Sequence, residues 1–172
     1  IEVRGGHAAK PHETADPVVA SAQIISALQS IAARNADPVS ELVVSVTSLD
    51  SSSKAYNVIP ARVTLRGTVR TLSSENRDLA EARLSEIATG IALAMGCKAS
   101  VDYTRNYPVM ANHPEQTEFA AEVARSVAGS CEEAPLIMGG EDFAFMLEER
   151  PGAYILVGNG NTAAVHHPEY NF

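Results

Sequence analysis

The strongest constraint on this chain is the order of its hydrophobic patterns over the first 107 or so residues: strand, helix, strand, strand, helix, strand. Ile1 to Arg4 reads as a strand that Gly5-Gly6-His7 ends. Asp16-Pro17 starts a helix, with Asp as N-cap and Pro in the first turn. Val18, Ala22, Ile25, Leu28 and Ala32 then share one face, and the helix ends near Asn35. Leu42 to Val46 is a second strand, followed by a polar loop from Asp50 to Lys54. Val63, Leu65, Gly67 and Val69 alternate with Thr64, Arg66, Thr68 and Arg70, the period of a half-buried strand. Ser73 or Ser74 caps a second helix whose apolar face runs Ala80, Leu84, Ile87, Ile91 and Met95, and Gly96 ends it. Lys98 to Tyr103 is a fourth strand. This split βαβ order predicts a ferredoxin-like βαββαβ sandwich, two helices on one antiparallel sheet.

Asn106-Tyr107-Pro108 reads as the crossing into a second unit, 108–172. There Pro114 to Ala128 is a helix with Phe119, Val123 and Val127 inward. A Gly139-Gly140 turn opens a short helix through Leu147, and Ala153 to Val157 is a buried strand ending in Gly158-Asn159-Gly160. One strand and two helices are too little to close a core, so further sequence is expected to complete this unit. Ile1-Glu2-Val3-Arg4 already reads as mid-strand with no initiator Met, which suggests a piece of a longer chain.

Composition narrows the chemistry. Thirteen basic residues stand against 21 acidic ones, a net charge of −8, which argues against nucleic acid as a partner. No apolar run approaches the roughly 20 residues of a membrane helix, so no membrane partner is expected. Cys97 and Cys131 belong to no CxxC pattern and favour a reducing, cytoplasmic setting. No nucleophile elbow, P-loop or dinucleotide fingerprint is present.

Several residues can carry chemistry. Met138-Gly139-Gly140-Glu141-Asp142-Phe143 exposes backbone N–H groups beside two carboxylates, and His166-His167-Pro168 follows. His7 and His12 lie in a loop between strand and helix. An imidazole there can donate to developing negative charge or bind a metal, or be incidental; Pro11 rules out the helical i,i+4 pairing of His-Glu-x-x-His sites. Asn57, before a strand, can bind an amide or a carboxylate or simply cap a turn. Arg70 can clamp a carboxylate or stand solvated at a strand end. His166 is of a type that ligates zinc, but spacing alone supplies it no convincing partners.

Together these motifs resemble the M20 metallopeptidase and amidohydrolase family, in the branch of hippurate hydrolases, N-acyl-amino-acid amidohydrolases and auxin-conjugate hydrolases. The resemblance rests on Gly-Gly-His-Ala-Ala-Lys-Pro-His at 5–12 with Asp16-Pro17-Val18-Val19, on Asn57-Val58-Ile59-Pro60, on Gly67-Thr68-Val69-Arg70-Thr71, and on Met138 to Phe143 with His166-His167-Pro168, in that order. It implies a lid domain over 1–107 that also makes a homodimer, and over 108–172 the C-terminal part of an α/β catalytic domain holding two divalent metals, zinc or manganese. It implies a metal-bridging water that attacks the amide carbon, with a Glu as general base. It assigns His166 as a metal ligand and His7 as the lid histidine that steadies the oxyanion in the partner subunit's site. Asn57, Arg70, Gly139, Gly140 and Glu141 it assigns to substrate binding.

The implied activity is removal of an N-acyl group from an amino acid. The family's Cys-x-His pair, acidic pair and further His have no counterpart in this chain, since neither Cys97 nor Cys131 stands in a Cys-Gly-His context. The 172 residues alone are therefore expected to be inactive. Two alternatives remain: a non-catalytic dimerisation or binding module derived from the family, and a dipeptidase of the same fold.

Overall fold

The computed structural model describes residues 1–158, 160, 162–163 and 167–170. It is mixed α and β and divides into two units, Ile1–Val109 and Met110–Phe172.

In the first unit, Asp16 caps helix α1 (Pro17–Ser30), its Oδ1 accepting from Val18 N at 2.8 Å and Val19 N at 3.3 Å. A π-helical turn, Ile31–Asn35, extends it. The buried face is Pro17, Ala20, Ser21, Ile24, Leu28 and Ile31. The sequence pattern pointed one residue further round: Val18 and Ala22 are exposed, and Ile25 and Ala32 only half-buried. Apolar residues nearly encircle α1, so two helical stripes compete. The stripe that packs contains Ala20 and Ser21, small residues that admit close approach. Ser21 is buried without penalty because its hydroxyl donates to Pro17 O at 2.6 Å.

Strands β2 (Leu42–Ser51) and β4 (Val63–Thr71) pair antiparallel, with Val44 opposite Val69. The register slips between Val46 and Ser48, a bulge that leaves Thr47 without a partner. Helix α2 (Ser74–Ala94) starts where Ser73 Oγ accepts from Asn76 N at 3.1 Å, and Gly96 leaves it at φ 69°. The core lies between the two helices and the sheet. Ala20, Ile24, Leu28, Ile31, Val44, Ala80, Ala88, Ala92 and Cys97 are buried there, flanked by Leu84, Ile87, Ile91 and Met95.

The expected outer strands are reduced. Glu2 alone forms the bridges, to Arg62 and to Lys98, and Val3 N donates to Ala61 O at 2.9 Å. The two-residue strand β1 (Gly6–His7) follows, paired with β3 (Val58–Ile59). Between the pairs Glu2↔Arg62 and Gly6↔Ile59 one side spends an extra residue, and Gly5 absorbs it at φ 74°. That bend breaks what alternation alone read as a strand over 1–4. Residues 99–103 form no ladder; the segment is held instead by Ala99 and Val101 against the core and by Arg105, which pairs with Asp78 and Glu81 on α2.

The second unit carries α3 (Pro114–Ala128), ended by Gly129 at φ 81°, and α4 (Phe143–Glu149), which buries Ala144 and Leu147. Asn112 and His113 grip the segment after α4. The Asn112 amide exchanges bonds with the Tyr154 backbone at 2.9 and 2.8 Å, and Gly152 N donates to His113 Nδ1 at 3.2 Å. Two expectations are corrected here. Phe119, Val123 and Val127 face outward, at 69%, 46% and 82% exposure. Ile155, Leu156 and Val157 form neither a strand nor a buried segment. Their apolar pattern requires a neighbouring layer, and the described residues of this unit contain none. No helix among the described residues is long and apolar enough to cross a membrane.

Candidate functional site

The β1–β3 ribbon brings two of the sequence-designated residues together. His7 lies opposite Val58, and Ala8 N donates to Asn57 O at 2.9 Å. Asn57 occupies the tip of a turn closed by Val58 N to Ala55 O at 3.3 Å. The ribbon can form because Gly5 reaches a positive φ, in a gap where a Cβ would stand 3.1 Å from Ile59 O. His7 and Asn57 are both exposed, so their polar groups are open to a ligand.

The loop also orients the imidazole. Ala9 N donates to His7 Nδ1 at 3.0 Å. An accepting Nδ1 places the ring proton on Nε2, which makes the outer nitrogen a donor. His12 sits apart in the 3-10 turn Pro11–Glu13 and is exposed. The Ala9 contact and the Val58 pairing went unread in the sequence, because two-residue strands have no periodicity to detect.

Arg70 does not join this pair. It lies opposite Val43, at the end of β4 away from Ile1. From Val63, next to the ribbon, to Arg70 is roughly 23 Å at about 3.3 Å per strand residue. Its guanidinium is exposed and unpaired among the described residues. Gly139 and Gly140 lie exposed ahead of α4, neither with a positive φ, and Glu141 is half-buried with its carbonyl accepting from Ala144 N at 3.3 Å.

His166 lies outside the described residues. Among those described, no three or more His, Cys, Asp and Glu gather closely enough to hold a metal, so they do not by themselves fit a metal centre. Both cysteines are free. Cys97 is buried in the core, and desolvation, with Asp16 adding to it, pushes its thiol above the ordinary 9.0. It is a packing residue kept protonated, not a thiolate ligand or nucleophile.

Comparison with known proteins agrees with the motifs. The model of peptidase family M20/M25/M40 matches residues 13–172. The N-acetyldiaminopimelate deacetylase of Priestia megaterium is 38% identical over 171 residues, covering 97% of this chain and 44% of its own length. The hippurate hydrolase of Campylobacter jejuni is 38% identical over 178 residues, covering 100% of this chain and 46% of its own. The crystal structure of the Bacillus subtilis YXEP protein, described as a dinuclear metal-binding peptidase of family M20, superposes with a TM-score of 0.77 at 30% identity, covering 99% of this chain and 43% of that one. The chain thus spans a little under half the length of the relatives it matches. With the family model matched over residues 13–172 and relatives at 38% identity, this chain belongs to peptidase family M20/M25/M40.

Proposed function

We propose that this chain is the lid and the C-terminal catalytic portion of a divalent-metal-dependent amidohydrolase that removes an N-acyl group from an amino acid. The observation that carries the reading is the nearness of His7 and Asn57 on the ribbon, where His7 lies opposite Val58 and Ala8 N donates to Asn57 O at 2.9 Å, with both residues exposed and His7 Nδ1 accepting from Ala9 N. Two exposed donors on a short, braced ribbon suit a carbonyl oxygen that gains negative charge during acyl transfer. Arg70 suits the amino-acid carboxylate. Gly139, Gly140 and Glu141 line the substrate site on this reading, His166 is a metal ligand, and residues upstream of Ile1 supply the other ligands, zinc or manganese being the metals to try.

The lid reading is supported by the links of Glu2 to both Arg62 and Lys98, which set residues 1–3 between the segments about 62 and 98. That is the neighbour order of a ferredoxin-like sheet. The separation of Arg70 from His7 supports a homodimer, since both can meet one substrate only if they come from different copies. Strand β2, with β4 as its sole described neighbour, offers an edge through which two copies can join.

The test uses the full-length enzyme with zinc or manganese, assayed on N-acyl amino acids. His7→Ala and Asn57→Ala are each expected to lower kcat by about 100-fold or more. Mixing inactive His7→Ala and Arg70→Ala subunits and allowing exchange should restore activity, because one site of the mixed dimer then holds both residues intact. No recovery, with exchange verified by mass, would refute the two-copy site.

A further inference from the structure

Among the described residues, Asn76 and Ser21 are the buried polar side chains, Asn76 at 8% exposure. Helix chemistry does not call for an asparagine here. Asn76 is the third residue of α2, where Glu or Gln would complete a capping box, and asparagine is a weaker helix former than either. Its backbone N already donates to Ser73 Oγ at 3.1 Å, so the cap does not need the side chain. The amide reaches instead to the segment that leads into β2. Its Nδ2 donates to Ser40 Oγ at 3.0 Å, and the Ser40 hydroxyl donates onward to Asp37 O at 2.9 Å. A buried amide is costly unless bonded, and this bond is the one its side chain makes across the fold.

The bond closes the open end of the β2–β4 pair. At the other end the chain itself joins the strands, and Ser52 N donates to Arg62 O at 2.9 Å while Arg62 N donates to Ser52 Oγ at 3.1 Å. At this end Leu42 pairs with Thr71 and Val43 with Arg70, with no turn to tie them. Ladder ends without such ties open first. Ser40 lies just before Leu42 and Ser73 just after Thr71, and Asn76 is bonded to both. Arg70 sits inside that clasp. Its guanidinium is exposed and has no partner among the described residues, so the backbone sets where it stands. We infer that Asn76 is a positioning residue: through Ser40 it fixes the strand end that carries Arg70, so that the guanidinium meets the substrate's carboxylate as a two-bonded fork. The inference rests on the amidohydrolase reading, in which Arg70 takes that carboxylate, and adds the residue that aims it.

The experiment measures kcat and KM separately in the full-length enzyme with zinc or manganese, on N-acetylglycine and N-benzoylglycine. Asn76→Ala should raise KM about threefold or more and keep kcat within about twofold, because a displaced Arg70 weakens substrate and transition state alike. The rise should be the same for both substrates, which share the carboxylate. A merely structural role would act the other way, since partial unfolding lowers kcat per total enzyme and leaves KM unchanged. Ser40→Ala removes the same bond from the loop side and should reproduce the rise, so the test stands even where Asn76→Ala folds poorly. Ser40→Thr keeps the hydroxyl and should retain the original KM. An unchanged KM in Ser40→Ala and in folded Asn76→Ala would overturn the positioning role and leave the amidohydrolase reading standing. Hydrolysis of neither substrate by the unmodified enzyme would overturn both.

Discussion

Gly67→Ala and Gly90→Ala make the same chemical change and should have opposite effects. Gly67 lies beside the bulge in β2, where an added Cβ would stand 2.2 Å from Ser45 O and 3.1 Å from Val46 Cα. Those are backbone atoms of the paired strand, so no side chain can rotate away. Relief requires the strands to part by about 1 Å, which stretches ladder bonds worth about 1 kcal/mol each on top of overpacking strain of about 1–3 kcal/mol. Alanine's smaller unfolded-state entropy offsets about 0.4–1 kcal/mol. The net loss is about 2–4 kcal/mol, or a fall in Tm of roughly 10–20 °C for a unit of this size. Gly90 lies inside α2 with nothing within 4 Å of its would-be Cβ. There alanine should stabilise by about 0.5–1 kcal/mol. Urea and thermal unfolding followed by circular dichroism on the 172-residue chain would measure both. A Gly67→Ala protein within about 1 kcal/mol of the parent would refute the close-approach argument, as would a destabilised Gly90→Ala.

Two further outcomes follow from burial. The Cys97 thiol has its pKa raised in the folded state, so its contribution is fully present below the unfolded value near 9.0 and is lost as pH rises through the folded one. Stability should therefore decline above pH 9.0, less so in Cys97→Ala, and a thiol reagent should label Cys131 well before Cys97, whereas equal labelling rates in the native protein would contradict the burial. Phe119 is exposed on α3, so Phe119→Ser should change the stability of this chain by less than about 0.5 kcal/mol, while in the full-length protein it should cost more if a further layer covers that face; equal small effects in both would show that nothing packs there.

Local chemistry made much of this protein readable from its residues. Asp16-Pro17 and Ser73 start helices because a side-chain oxygen caps backbone N–H groups wherever the sequence is placed, and Gly96 ends one because it alone tolerates φ 69° easily. The alternation from Val63 to Arg70 marked β4 for the same kind of reason, and the ordered motifs around His7, Asn57, Arg70 and Gly139 pointed to the family. Packing direction was a different matter. α1 offered two apolar stripes and buried the one with Ala20 and Ser21, while Phe119, Val123 and Val127 formed a regular stripe that the described residues leave uncovered. Periodicity states that a face is apolar, and only the partner layer decides whether and which way it is buried.

The site divides along the same line. Residue type named His7, Asn57 and Arg70 as donors, but the sequence held them as one group. The tertiary structure joined His7 to Asn57 through the ribbon that Gly5 permits, fixed the imidazole proton through Ala9, and set Arg70 at the far end of β4. Capping, turn chemistry and motif identity depend on neighbours within a few residues, so the sequence determined them. Strand pairing between residues some 50 positions apart depends on the whole core, so only the tertiary structure could decide which donors share a site.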